Sequence, residues 1–163
     1  MGYQAIGFGD RRVYQICTNS KTEITSLGFG IGLGKKVYKN FELSGNYNYA
    51  EYSYDANEDP SFVPGFNTPK HRIKGSFGNP NAYKGLGFNF NIRWSTGYLF
   101  QSSFADGYVP ENTVFDAQVN YTIPKWKTSL KVGAANLFGK DYIQVIGAGQ
   151  IGQQWYAQIT INP

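Results

Sequence analysis

Three stretches of this chain hold residue types that do chemistry in other settings. Gly147-Ala148-Gly149-Gln150-Ile151-Gly152 spells the glycine pattern that lets a backbone approach a dinucleotide pyrophosphate. That use needs a helix after the glycines and an acidic residue about 20 positions on. Only eleven residues follow Gly152, and they alternate as a strand does, so the pattern is coincidental. His71, the sole histidine, stands between Lys70 and Arg72, and Cys17 is the sole cysteine. Neither a metal cluster nor a disulfide framework is expected from such a set. Asp55, Glu58 and Asp59 offer hard oxygen donors that could hold a cation weakly or simply form a solvated loop. No catalytic residue, metal site or cofactor is expected, and the chain does not read as an enzyme.

The remaining polar residues follow a different rule, a spacing of two. Between Gly85 and Phe100, Leu86, Phe88, Phe90, Ile92, Trp94, Thr96, Tyr98 and Phe100 alternate with Gly85, Gly87, Asn89, Asn91, Arg93, Ser95 and Gly97. Period two puts the two sets on opposite faces of a β-strand. Strands of soluble domains run about 5 to 6 residues, whereas a tilted bilayer crossing takes about 9 to 11, so the length points to lipid. An arginine and two asparagines on the second face suit a wet barrel lumen better than a dry core.

The same alternation recurs. Leu27, Phe29, Ile31 and Leu33 oppose Gly28, Gly30, Gly32 and Gly34; Phe41, Leu43, Tyr47 and Tyr49 oppose Glu42, Ser44, Asn46 and Asn48, with a bulge expected near Ala50 and Glu51. Ile73, Gly75 and Phe77 oppose Arg72, Lys74 and Ser76. Phe115, Ala117, Val119, Tyr121 and Ile123 oppose Asp116, Gln118, Asn120 and Thr122. Leu130, Val132 and Ala134 oppose Ser129, Lys131 and Gly133, and Trp155, Ala157, Ile159 and Ile161 oppose Gln154, Gln158 and Thr160. Seven strands result. An eighth would come from Val13 to Thr18 pairing with Glu23 onward, or from Tyr3 to Phe8.

Composition fits an all-β antiparallel transmembrane barrel segment of seven to eight long strands. The 163 residues are 41% hydrophobic and 17% aromatic, yet mean hydropathy is negative because polar and apolar residues interleave. The net charge of +4 is modest and its basic residues are dispersed, so no nucleic-acid partner is expected. Met1 is followed by Gly-Tyr-Gln-Ala without a signal-peptide pattern, so an exported protein of this kind reads as a mature form or a piece of something longer. Long connections (Asp55 to Pro69, Gln101 to Thr113, Phe138 to Gly152) alternate with short ones (Lys35 to Asn40, Gly78 to Lys84, Pro124 to Lys127). Bacterial barrels have short periplasmic turns and long external loops, which sends the last strand toward the periplasm. Bacterial single-chain barrels have even strand numbers, so seven implies missing neighbours.

Four stretches carry a family resemblance: Phe62-Val63-Pro64-Gly65-Phe66-Asn67-Thr68-Pro69-Lys70-His71-Arg72, Ser102-Ser103-Phe104-Ala105-Asp106-Gly107-Tyr108-Val109-Pro110, Asp116-Ala117-Gln118-Val119, and Asn136-Leu137-Phe138-Gly139-Lys140-Asp141-Tyr142. In this order they resemble the C-terminal barrel of TonB-dependent outer-membrane receptors, especially those of Bacteroidetes type. Val13-Tyr14 through Gly28 resembles the strand that precedes them, so the likeness spans roughly residues 13 to 163. It implies that residues 1–163 are part of an outer-membrane barrel of about 22 strands, with 1–12 an extracellular loop or the end of a preceding strand. No plug-domain counterpart is legible in the chain. The family usually ends on an aromatic, and here Ile161-Asn162-Pro163 stands instead.

The resemblance further implies residence in the bacterial cell outer membrane and uptake of a nutrient such as a metal chelate, glycan or peptide. The implied partners are outer-membrane lipid, the rest of the barrel and its plug, TonB acting through that plug, and the transported nutrient; glycan-importing relatives add a surface lipoprotein lid, and the sequence leaves open whether this chain has one. Asn89, Asn91, Arg93, Asp116, Gln118, Asn120 and Lys131 are candidates to line the lumen, where they would contact ligand, hydrate the interior or bond to the plug. Tyr52, Tyr54, Phe62, Phe66, Phe104 and Tyr108 lie near the external rim, where they would stack on a ligand or form an interfacial aromatic girdle. Two other architectures remain open: a self-sufficient eight-stranded barrel acting as adhesin, anchor or narrow pore, and a soluble β-sandwich whose apolar rows meet a second sheet.

Overall fold

In the computed structural model, residues 2–8, 12–18, 21–60, 62–102 and 104–161 are described. The chain is almost entirely antiparallel β. Strands β1 (Gly2–Phe8) and β2 (Arg12–Thr18) form a hairpin of their own, from Gly2 opposite Thr18 to Phe8 opposite Arg12. Val13 to Thr18 therefore pairs with the preceding segment rather than with Glu23 onward. Cys17 lies in β2.

Seven strands follow in one sheet: β3 (Ile24–Val37), β4 (Phe41–Tyr54), β5 (His71–Tyr83), β6 (Leu86–Ser95), then β9 (Asn112–Ile123), β10 (Thr128–Ala135) and β11 (Gln154–Ile161). Their spatial order is β11-β10-β9-β6-β5-β4-β3, so each pairs with its neighbours in sequence. The small hairpin β7 (Tyr98–Phe100) and β8 (Gly107–Val109) sits in the connection from β6 to β9. All seven strands expected from the alternation are present, and β3 and β4 run to 14 residues each. β3 and β11 are the outer strands of the sheet.

The register makes each row continuous across strands. On one face Phe29 lies opposite Tyr49, Tyr47 opposite Ile73, Phe77 opposite Phe90, Ile92 opposite Phe115, Val119 opposite Val132, and Leu130 opposite Ile159. On the other, Ser44 lies opposite Ser76, Asn91 opposite Asp116, Asn89 opposite Gln118, Asn120 opposite Lys131, and Lys131 opposite Gln158. The apolar side chains do not press on a second sheet: Leu33 is 78% exposed and Ile159 68%. Among the described residues, buried hydrophobic side chains are few (Phe62, Phe100, Val109, Val114 and Ala134), and four of them lie in or beside the long loops.

Two local expectations are corrected. The run from Gly85 to Phe100 is not one strand; β6 ends at Ser95, where Thr96 receives an Oγ1 bond from the His71 N–H (3.1 Å) and donates its own N–H to the His71 carbonyl (3.1 Å). Beyond it the chain turns aside, because Gly97 admits β8: a Cβ there would stand 2.2 Å from Tyr108 Oη and 2.8 Å from the Val109 carbonyl. Alternation cannot see this turn, since glycine fits either row. The expected bulge at Ala50 and Glu51 is absent too, as β3 and β4 pair without interruption through Leu27–Glu51 and Gly28–Ala50. The irregularity lies instead in β5, between Asn79 and Tyr83. There buried Asn79 donates Nδ2 to the Lys39 carbonyl (2.8 Å) and accepts the Asn81 N–H (2.9 Å), and proline, lacking an N–H, sits where the ladder is already broken.

The three short turns share a pattern. Tyr38-Lys39, Tyr83-Lys84 and Trp126-Lys127 each place an exposed aromatic before a lysine at positive φ (52°, 45° and 47°). Lys39 and Lys84 lie 5.0 and 5.2 Å from the ring centres of their tyrosines.

Candidate functional site

The polar face and the long loops meet in a cavity of about 420 Å³, within the range of small-molecule sites. β5 sends Arg72 and Lys74 into it from the same row, and β6 sends Arg93, which lies directly opposite Lys74. β9 contributes Asn112 and Val114, the small hairpin contributes Tyr98, and the segment Tyr142–Val145 of the last long loop forms one wall.

Asp116 organises this corner. Its carboxylate accepts two bonds from Arg93 Nη2, at 3.0 and 3.2 Å, and Oδ1 also accepts the Asn136 backbone N–H at 3.0 Å. Asn136 adopts φ 52°, the left-handed region that asparagine tolerates better than most residues, and is buried. Its side chain donates to the Lys140 carbonyl (2.9 Å), its carbonyl accepts the Gly139 N–H (2.8 Å), and the Leu137 N–H returns to the Phe115 carbonyl (2.7 Å). Asn136-Leu137-Phe138-Gly139 is thus a turn that anchors the loop to β9, with Phe138 edge-on to Phe115 at 5.0 Å. Reciprocal backbone bonds between Tyr142 and Ile151 close the loop's base, and Tyr98 Oη donates to the Gln144 carbonyl at 2.6 Å. Burial pushes the Tyr98 phenol above the usual tyrosine range.

Every expected polar-row residue does lie on this face. Arg93 and Asp116 are ion-paired, Asn91 donates to Asn89 (2.7 Å), Gln118 accepts from Tyr156 Oη (3.0 Å), and Asn120 donates to the Pro80 carbonyl (3.1 Å). Only Arg93 of the seven lines the cavity. Arg72, Lys74, Tyr98, Asn112 and Gln144 join Arg93 here without being expected from the sequence; Arg72 and Lys74 belong to the polar row of β5, whereas Tyr98 and Gln144 meet only through loop folding.

The six aromatics expected at the rim divide. Tyr52 stacks on Phe66 with ring centres 4.2 Å apart, and Tyr54 meets Phe62 edge-on at 5.9 Å, so four of the six pack on one another. Phe104 and Tyr108 remain 73% and 64% exposed. None of the six lines the cavity. Asn67 exchanges two bonds with the Gln101 backbone (2.9 and 2.8 Å), so the Pro-Gly-Phe-Asn-Thr-Pro stretch ties its loop to the small hairpin.

The other chemistry-bearing residues lie elsewhere. His71 sits on the apolar face with Nδ1 2.7 Å from Tyr47 Oη. Lys70, at the strand end, pairs with Glu51, whose hydrogen bond holds the lysine above its ordinary pKa. Glu58 accepts from Thr22 Oγ1 (2.6 Å) and Asp55 from Asn57, so this acidic loop is bonded within its own surroundings. Gly147 to Gly152 form irregular loop without a following helix.

No protein-family model and no curated protein matches the chain. Among solved structures, its fold is similar to a G324V mutant of the ferric enterobactin receptor PfeA from Pseudomonas aeruginosa, with a TM-score of 0.61 and 16% identity over 82% of this chain. The chain spans 22% of that receptor's length. At this identity the likeness is one of fold.

Proposed function

We propose that this chain is a wall segment of a TonB-dependent outer-membrane receptor that takes up a nutrient by energy-coupled transport. The observation that carries the reading is the division of one seven-stranded sheet into an exposed apolar face and a continuous polar face. In water such an exposed apolar face would be a severe liability; against hydrocarbon it is the required surface. The fold likeness to a ferric enterobactin receptor supports the same reading, and the sequence resemblance supplies the TonB-dependent class and its Bacteroidetes grouping.

On this reading the polar face looks into the lumen, the three short turns meet the periplasmic leaflet, and the long loops face outside. The outer strands β3 and β11 pair with further strands of the parent barrel, because unpaired edges are not tolerated in lipid. The plug, TonB acting on it, and a surface lipoprotein would be partners of the whole receptor. The role is transport, with the imported solute a metal chelate, glycan or peptide, and without a catalytic step.

The test places single cysteines, in a Cys17→Ser background of the full-length protein, at Val119 and at its neighbour Gln118. In isolated outer membranes a water-soluble maleimide should label the Gln118→Cys protein and spare the Val119→Cys protein. A bimane probe at Val119, attached in detergent before reconstitution, should be quenched by brominated acyl chains. Aqueous labelling at Val119 equal to that at Gln118, with no quenching by brominated lipid, overturns the proposal.

A further inference from the structure

The cavity is unusual in what it places together. Cross-strand like charges destabilise a sheet, yet β5 and β6 put Lys74 directly opposite Arg93, with Arg72 two residues away on the same row. Among the described residues Asp116 is the only carboxylate bonded to any of the three, and neither Arg72 nor Lys74 has an ion pair. Counted over the described residues, the corner therefore carries two positive charges in excess. Arg93, though paired through Nη2, also keeps its Nε–H buried without an acceptor among the described residues, although buried donors are ordinarily bonded. Beside these cations the wall includes Val109, Val114 and Ile143, and Tyr98 and Asn112 add polar groups.

We infer that this cavity binds the dianionic group of a small solute, a phosphate ester or a pair of carboxylates. The excess of two charges matches such a group, and a planar guanidinium recognises either anion through paired N–H bonds. The like-charge pair is a local cost that an anion offsets when it bridges Lys74 and Arg93. Apolar wall residues leave room for a carbon skeleton, and the Tyr142–Val145 segment, held by Tyr98, covers the solute from the loop side. The inference deepens the proposed function by naming a solute class for it, but the site is defined by this chain's own residues whether or not the protein transports anything.

The experiment is calorimetric titration of the full-length protein in detergent with glycerol 1-phosphate, citrate and, as the uncharged control, glycerol, at low and physiological salt. Saturable binding is expected for at least one of the two anions, with none for glycerol. Arg72→Gln/Lys74→Gln should weaken it at least tenfold, and Lys125→Gln, at a distant turn, should not change it. A structural role for Lys74 predicts lost stability on substitution; the binding role predicts that Lys74→Gln raises the urea midpoint of the ligand-free protein while weakening anion binding. The inference is overturned if neither anion binds saturably, if Lys125→Gln weakens binding as much as the double variant, or if Lys74→Gln lowers the midpoint and leaves binding intact. The cysteine accessibility test does not depend on these titrations, so a site that binds anions in a protein that fails the membrane test would refute transport alone.

Discussion

Removing the Asp116 carboxylate should release the last long loop, and the size of the effect separates hydrogen bonding from charge. Asp116 serves two donors that differ in exposure. Arg93's side chain is 42% exposed, so its ion pair is worth about 1 kcal/mol at most. Asn136 is 3% exposed, and leaving its backbone N–H without an acceptor costs about 1–3 kcal/mol. Asp116→Ala loses both and should weaken the local structure by about 3 kcal/mol. Asp116→Asn keeps an Oδ1 that accepts the Asn136 N–H and loses the charge together with the Oδ2 acceptor of the exposed Arg93 pair, at about 1 kcal/mol. Hydrogen exchange reads this local opening directly, because the Asn136 and Leu137 amides are protected only while the turn is closed. At 1.4 kcal/mol per factor of ten, protection at Asn136 should fall about a hundredfold in the alanine variant and less than about tenfold in the asparagine variant. Equal losses in the two variants would show that charge rather than the backbone bond holds the turn, and the assignment of the Asn136 turn as anchored by its N–H would be wrong.

Two further substitutions test the local readings. Gly97→Ala places a methyl 2.2 Å from Tyr108 Oη and 2.8 Å from the Val109 carbonyl, an overpacking of about 1–3 kcal/mol that should expose the β7–β8 amides to exchange. Adding Tyr108→Ala should recover only part of the protection, since the clash with the backbone oxygen persists; full recovery would mean the side chain alone sets the approach. At the β5–β6 turn Lys84 and Gly85 both have positive φ (45° and 91°), the geometry that favours Asn-Gly. Lys84→Asn should relieve about 1 kcal/mol of left-handed strain and forfeit about 0.5 kcal/mol of contact with Tyr83, raising the urea midpoint slightly. A lowered midpoint would show that the lysine–ring contact outweighs the backbone term.

Much of this fold was legible because one rule, alternation, governs all seven strands. The same rule found the polar row that includes Arg93 and Asp116, and it failed where the chain stops obeying it. Thr96 and Gly97 keep the period while the backbone turns aside, so β6 looked longer than it is. Glu51 stands on the apolar row for a reason that alternation does not encode, namely Lys70 at the next strand's start. The asparagine-rich turn from Asn79 is bonded by side chains, which hydropathy patterns do not register. The cavity was harder still, because Tyr98 and Gln144 are 46 residues apart and meet only when two loops fold over the sheet.

The triad Arg72, Lys74 and Arg93 is fixed by the same pattern that separates the faces. A one-residue slip between β5 and β6 would set Ile73 and Phe77 against the polar row of β6 and turn Lys74 toward Phe90, Ile92 and Trp94. The contrast between the two faces makes that slip costly along the ladder, so the unfavourable pairing of Lys74 against Arg93 survives within a register that Ile73–Trp94, Ser76–Asn91 and Phe77–Phe90 support. Such a pairing could have been relieved by one neutral side chain at either position without disturbing the alternation. Its presence beside a buried, unbonded Arg93 Nε–H is therefore better understood as a requirement of the cavity than as a by-product of the sheet.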